Sequence, residues 1–567
     1  MDRRSLIALL LIFVVIVGGT MLRDVIWPAP PASADSLAID STRRVVAATD
    51  TAKRAAPSIA PRDSSTPRAA APTVSAAATT PAPVRSETAT VTGTGRQLHF
   101  VSPGAAPASV TLTDYRDLKR KTGLVSLRPE QGALLEYRIV NGADTIHLDR
   151  VVFTRSETPH GVEFVSATPA LRVRYDVDSA NYLTHVSVAL AGAAPNAHLL
   201  IDLAPDLTSG EANEAEDVRS LAYGFRPSKN DVESVHIPKL DSAYRVEAGP
   251  IEWVAIRNKY FVVAALSPDS AHQFTGFIMK KGAVRPDGRP TGIATAALPL
   301  SAGAARFDLY TGPQSWKILR AVGHELSNVN PYAGWAWLRP VVEPFATIVM
   351  RMLLGMKALV GLSYGWVLVI FGLLIRLLLW PLNQTAMRTS IKMQALQPEL
   401  TALQKRYAKD PEGQRTAMMK LYADHGMSPF SPLMGCLPML IPMPILMALY
   451  FVFQNTIEFR GVPFLWLPDI SMKDPYYITP LVMGVSMLVL SLIGMKAGPP
   501  NPQAKMMGYM MPAMFTIIFL NFASGLNLYY AVQNLVAIPQ QWFLTRERAK
   551  AAASPVVKGP PAVRQRK

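Results

Sequence analysis

Two textures of hydrophobic and polar positions divide this chain. Between about Gln97 and Leu326 the apolar residues come in short alternating runs, LLEYRIV, THVSVAL, IEWVAI and YFVVAAL among them. These are rich in β-branched and aromatic residues, and Gly, Asn, Asp and Pro signals such as Asn141-Gly142 and Pro286-Asp287-Gly288 punctuate them. Alternation of period two with such turn chemistry predicts many short strands, and over this length a single large β-sandwich. From Ser363 onward the apolar runs are long: 363–382, 433–453, 478–495, 506–522 and 526–544. The first, SYGWVLVIFGLLIRLLLWPL, is long enough to cross a bilayer as a helix. Leu433–Phe453 carries Pro438, Pro442 and Pro444, which predicts irregular backbone hydrogen bonding there.

Smaller segments fit between these. Arg3 and Arg4 precede an apolar run from Leu6 to Leu22. A cleaved signal peptide and a retained anchor both match this pattern. The anchor (1–27) is preferred because Ala32-Ser33-Ala34 lies some ten residues beyond the run. Residues 28–96 are dominated by Pro, Ala, Ser and Thr and bury too little apolar surface to offset ordering entropy, so they read as a disordered linker. The sandwich takes 97–328. In 329–361, Val341, Val342, Phe345, Ile348, Val349, Met352, Leu353 and Met356 share one helical face opposite Glu343, Thr347, Arg351 and Lys357, with Trp335 and Trp337 just ahead. The pattern predicts an amphipathic helix on the outer membrane surface, or one packed on the β-domain. The segment 362–544 holds five spans. Within it, 383–428 is basic and polar and reads as a cytoplasmic helical hairpin, with Asp410-Pro411 starting its second helix and Gly426 ending it. Residues 545–567 form a basic tail. With the anchor there are six spans and both termini inside, and the Lys/Arg bias agrees at each loop.

Charge and composition then narrow the chemistry. The formal charge of +16 is concentrated after Leu382. Cys436 is the single cysteine, which excludes a disulfide framework and thiolate metal clusters. Its place in an apolar stretch makes it a packing residue. His147, His160, His185 and His236 show no metal-ligand spacing. A sugar- or peptide-binding cleft in the β-domain is weighed against a docking role, and docking is preferred. No nucleotide loop, paired intramembrane carboxylate or activated nucleophile is present, so no catalytic residue, cofactor or metal is expected.

One charge stands out. Arg376 sits inside the first long run, at an insertion cost of about 2.5–3.5 kcal/mol, and none of the other apolar runs of this half supplies an Asp or Glu. Either its side chain snorkels towards headgroups, Pro381 being about 7.5 Å further along the helix, or it lines a wet cavity. Two softer signals accompany it. Of the 24 methionines, 21 lie at or after Met350, which suits a surface accepting varied apolar sequences, although helix packing explains them as well. Asn527, Tyr530, Asn534 and Gln541 form a polar stripe on the last helix, which either binds helices together or walls a groove.

LLIRLLLWPLNQ, GCLPML followed by MPILMALY, DPYYITPLVMG and SGLNLYYAVQNLVAIPQQ, in this order, resemble the YidC/Oxa family of membrane protein insertases. The resemblance covers the anchor, the exported β-domain and 330–550. It implies a polytopic α-helical membrane protein of the cell inner membrane, with a five-helix insertase core, an N-terminal anchor helix and a large periplasmic β-sandwich. It also implies a hydrophilic substrate groove containing Arg376, to which Asn527, Tyr530 and Asn534 are assigned. The implied partners are nascent membrane proteins, the Sec translocon, membrane lipids, and the ribosome through the basic tail and hairpin. No ATP is required, since burial of the substrate's apolar segment releases roughly 0.8 kcal/mol per CH₂. Two departures from the family pattern concern groove polarity: Pro442 replaces a common Gln, and Gly372 stands where a Thr often lines the groove. Met427–Met434 is also slightly longer than usual. The rival readings are a secondary transporter or channel with a midplane cation and a surface-anchored sugar-modifying enzyme. Neither the internal repeats of the first nor the acid/base pair of the second is found.

Overall fold

The structure, a computed structural model, describes residues 87–330, 339–380, 396–408, 410–424, 442–496 and 502–553. The expected anchor, most of the linker, Cys436, Gly426, the prolines before 442 and the end of the basic tail lie outside the described residues.

The alternating runs form strands. Burial alternates along Leu171–Val177 and Leu183–Leu190, whereas YFVVAAL departs from the expected alternation: Phe261–Leu266 is buried at every position, as a strand covered on both faces is. A four-stranded sheet and a 14-stranded antiparallel sheet result. They face one another across an aromatic core, in which Phe100 of the small sheet lies 4.6 Å from Tyr175 and 5.9 Å from Phe164 of the large one. Arg96 reaches across the same gap and donates to the Leu183 carbonyl at 2.6 Å and to Thr184 Oγ1 at 2.9 Å. The Asn141-Gly142 signal is a hairpin: Asn141 pairs with Asp144, and Gly142 takes φ +67°, which a side chain would strain.

The domain begins earlier than the expected residue 97. Glu87–Gly93 is its first strand, paired along its length with Arg96–Ser102. Its Thr- and Ala-rich sequence offers no large apolar residue to mark it. It is a strand because a neighbour accepts its backbone groups, with Gly95 at φ +64° turning the chain between them.

The short helices α1 (Glu214–Ser220) and α2 (Trp316–Val322) edge the sandwich. Beyond it follow α3 (Arg339–Val360), α4 (Tyr364–Leu378), α5 (Gln397–Arg406), α6 (Pro411–Asp424), α7 (Pro442–Asn455), α8 (Ile478–Lys496), α9 (Pro502–Phe519) and α10 (Ser524–Ala553). Of the expected hairpin 383–428, residues 383–395, 409 and 425–428 lie outside the described residues; within the described part the Gly413 N–H donates to Asp410 Oδ1 at 2.9 Å and so starts α6. The amphipathic face of α3 divides in two. Val342, Val349 and Leu353 are buried, with Ala346 and Met350 beside them, in a helix that packs on α7. Phe345 and Ile348 remain exposed. Arg339 at its start donates to the Val232 carbonyl of the β-domain at 3.0 Å.

Among the described residues, Ile478–Lys496 is by itself long and apolar enough to cross a membrane. A second span arises only if α3 and α4 are joined across their 117° bend. The helix carrying Arg376 has 15 residues, about 22 Å of rise, and α9 bears Pro512. The breaks follow from composition: Gly361 at φ +70° separates α3 from α4, and prolines open α7 and α9.

Candidate functional site

Arg376 lies one helical turn after Gly372 on α4, and α10 crosses the helix there. A Cβ at Gly372 would lie 3.2 Å from Val532 Cγ1, close enough that Val532 would have to give by a few tenths of an ångström, and 3.6 Å from Tyr529 Cδ2, an ordinary contact. The absent side chain therefore lets α10 approach. Gln533 Nε2 uses that approach: it donates to the Gly372 carbonyl at 2.7 Å and to the Tyr529 hydroxyl oxygen at 3.2 Å. Tyr529 packs its ring against Phe371 (5.7 Å) and Phe453 (6.4 Å), and it is the phenol within electrostatic range of Arg376. Among the described residues Arg376 has no carboxylate partner, and its buried Nε meets no acceptor.

The polar stripe of α10 faces elsewhere. Asn527 is fully buried and donates to the Phe519 carbonyl of α9 at 3.1 Å. The Tyr530 ring lies 5.6 Å from that of Phe519. Asn534 donates to the Met483 carbonyl of α8 at 3.3 Å. These three are hydrogen-bonded or packed towards α8 and α9, whereas Tyr529, Val532 and Gln533 meet α4. Spacing alone marks both faces equally, because Tyr529 and Gln533 are themselves an i, i+4 pair. A glycine within the Arg376 run is the one sequence sign that a neighbour comes close there.

The loop between α7 and α8 fixes one end of this cluster. Phe459 stacks on Phe453 at 5.1 Å, and Ile457 joins the hydrophobic core of the β-domain. The Ser315 hydroxyl donates to Glu458 Oε1 at 2.9 Å, and Arg460 Nη2 donates to the Arg116 carbonyl at 2.9 Å. On the opposite side the Ser524 and Gly525 N–H groups, which open α10, donate to the Met472 and Ile470 carbonyls at 2.7 and 2.9 Å. Gly525 eases this approach, since a Cβ would lie 3.1 Å from the Ile470 oxygen and push the loop back by a few tenths of an ångström.

The DPYYITP motif is a cap for α8. Asp474 is buried and accepts from the Thr479 N–H (2.7 Å), the Thr479 hydroxyl (2.9 Å), the Tyr476 N–H (2.9 Å) and Trp466 Nε1 (3.2 Å). Burial pushes this carboxyl up, but the Thr479 and Tyr476 N–H bonds with the two side-chain donors outweigh it, leaving the group below the usual carboxylate range.

Comparison with known proteins covers both halves of the chain. A family described as the 60Kd inner membrane protein matches residues 355–551, and the YidC periplasmic domain matches residues 90–348. The membrane protein insertase YidC of Anaeromyxobacter sp. (strain Fw109-5) is 36% identical over 311 residues, which are 54% of this chain and 53% of that protein. This chain thus spans about half the length of that relative. The insertase YidC of Chlorobaculum parvum (strain DSM 263 / NCIMB 8327) is 30% identical over 500 residues, 80% of this chain and 82% of the relative. The crystal structure of an active YidC insertase with its first transmembrane domain resolved matches 81% of this chain and 94% of its own, at 18% identity and a TM-score of 0.34. The chain belongs to the YidC family of membrane protein insertases.

Proposed function

We propose that this chain inserts and folds integral membrane proteins in the inner membrane, alone or with the Sec translocon, through a hydrophilic groove at Arg376. The observation that carries this reading is a guanidinium on an apolar helix whose described neighbours provide a phenol and an amide but no carboxylate. Such a cation is costly in hydrocarbon, and the polar segment of a substrate lowers that cost when it enters. The substrate's apolar part then partitions sideways into lipid, which drives the step without nucleotide. In this reading 362–544 forms a five-span core behind an N-terminal anchor, the β-domain is periplasmic, and both termini are cytoplasmic. The α5–α6 hairpin and the basic tail 545–567 engage ribosomes, and lipids flank the core. The groove includes Arg376 with Tyr529 and Gln533. Asn527, Tyr530 and Asn534 belong to its wall through the helices they hold together.

The test is insertion yield for two substrates differing by one Asp in the translocated segment, at matched levels of each variant. Arg376→Lys retains much activity, since the charge is kept although the planar fork is lost. Arg376→Ala fails most for the Asp-bearing substrate, and Arg376→Glu is worse still for it. Equal losses for both substrates would sink the electrostatic mechanism. Solute uptake by vesicles containing the purified protein would instead favour a transporter.

A further inference from the structure

We propose that Gln533 is the positioning residue of this groove, orienting the Tyr529 phenol so that it acts as a hydrogen-bond donor beside Arg376. The inference rests on the insertase reading and deepens it by naming what the groove accepts. The two bonds of Gln533 define the geometry. Its amide nitrogen is anchored on the Gly372 carbonyl at 2.7 Å, in the turn of α4 that leads to Arg376, and from there donates to the Tyr529 oxygen at 3.2 Å. A phenol has one proton to give. With an oxygen lone pair committed to Gln533, that proton points away from the amide, and it meets no acceptor among the described residues. The guanidinium carries donors only. Arg376 and Tyr529 therefore present donors without acceptors, and the matching guest is an acceptor: a side-chain carboxylate, or the carbonyl of an unpaired peptide group.

Position is enforced by packing. Tyr529 is buried between Phe371 and Phe453, so its ring keeps one setting, and Val532 against Gly372 fixes the height of α10 on α4. Among the described residues, Gln533 is thus the polar group in this contact that decides which way the phenol proton faces.

The experiment uses the full chain in lipid nanodiscs and proteoliposomes. Gln533→Met keeps the length and packing of the side chain and removes the donor; Tyr529→Phe removes the phenol. For the Asp/no-Asp substrate pair, each single variant is expected to reduce the preference for the Asp-bearing member by roughly ten- to a hundredfold, the worth of one hydrogen bond to a charged group. The double variant is expected to lose no more than either single one, because Gln533 acts through Tyr529. Separately, 3-fluorotyrosine at position 529 should change its ¹⁹F shift in Gln533→Met. Additive losses, or equal losses for both substrates, would make Gln533 a mere helix contact and overturn the proposal. An unmoved ¹⁹F shift would overturn it as well, whatever insertion does. A wild-type chain that inserts neither substrate while the ¹⁹F shift still moves would instead overturn the insertase reading, and with it the role assigned to Gln533.

Discussion

Arg460 Nε lies 2.8 and 3.0 Å from the two carboxylate oxygens of Glu211, a residue 249 positions earlier, and their side chains are only 4% and 7% exposed. The pair joins the loop before α8 to the β-domain, with the guanidinium 5.4 Å above the Phe261 ring. Burying two opposite charges does not guarantee stability, because desolvation of each competes with their attraction. Here desolvation is the larger effect. Burial pushes Glu211 up to about 7 from 4.5; Arg460 pulls it down, and the neighbouring Asp217 adds to the rise.

The sign of the pH dependence follows. Between pH 4.5 and about 7 the folded protein holds a proton on Glu211 that the unfolded chain has lost, so stability falls as pH rises through that window. Asp217, also raised by burial, acts in the same direction. Glu211→Gln retains an oxygen for Arg460 and removes the titration. Relative to this variant, the wild type should lose on the order of 2 kcal/mol between pH 5 and pH 8, read from thermal unfolding midpoints. A wild type that gains stability relative to Glu211→Gln over that range would refute the burial-dominated account.

Gly372 is held by a neighbour rather than by helix propensity. Gly372→Thr places a branched side chain against Val532 and should destabilise the α4–α10 contact by about 1–3 kcal/mol. Val532→Ala in the same chain opens the space and should restore most of the loss. Denaturation of the two single variants and the double variant measures this, and a double variant no better than Gly372→Thr alone would refute the proposed clash.

Asp474→Asn should cost roughly 1.5–3 kcal/mol, since an amide nitrogen cannot accept from the donors that converge on the carboxylate. Because the native carboxyl is depressed, this stabilisation is present above the ordinary Asp value and is lost as pH falls through the native one. Wild type and Asp474→Asn should therefore converge in acid. A gap in unfolding midpoint that stays constant down to pH 2 would show that the charge plays no part.

Much of this molecule is local and was legible in order along the chain. Alternation in THVSVAL and the β-branched, aromatic run YFVVAAL predict strands, Asn141-Gly142 a hairpin, Asp410-Pro411 a helix start, and an isolated Arg376 in an apolar run a site needing compensation. Each depends on residues within a few positions of one another, where covalent geometry and side-chain periodicity suffice. Three features were decided only by the tertiary structure. Glu87–Gly93 becomes a strand through its neighbour. Tyr529 and Gln533, rather than Asn527, Tyr530 and Asn534, meet the helix that carries Arg376. The loop before α8 docks on the β-domain through Arg460 and Glu211. Periodicity shows that a helix has faces, but the rotation that presents one face to a partner is set by close packing, here Val532 against a glycine with no side chain. An ion pair across 249 residues has no local signature. It exists because folding brings both charges to one buried place, where each limits the cost of the other's desolvation.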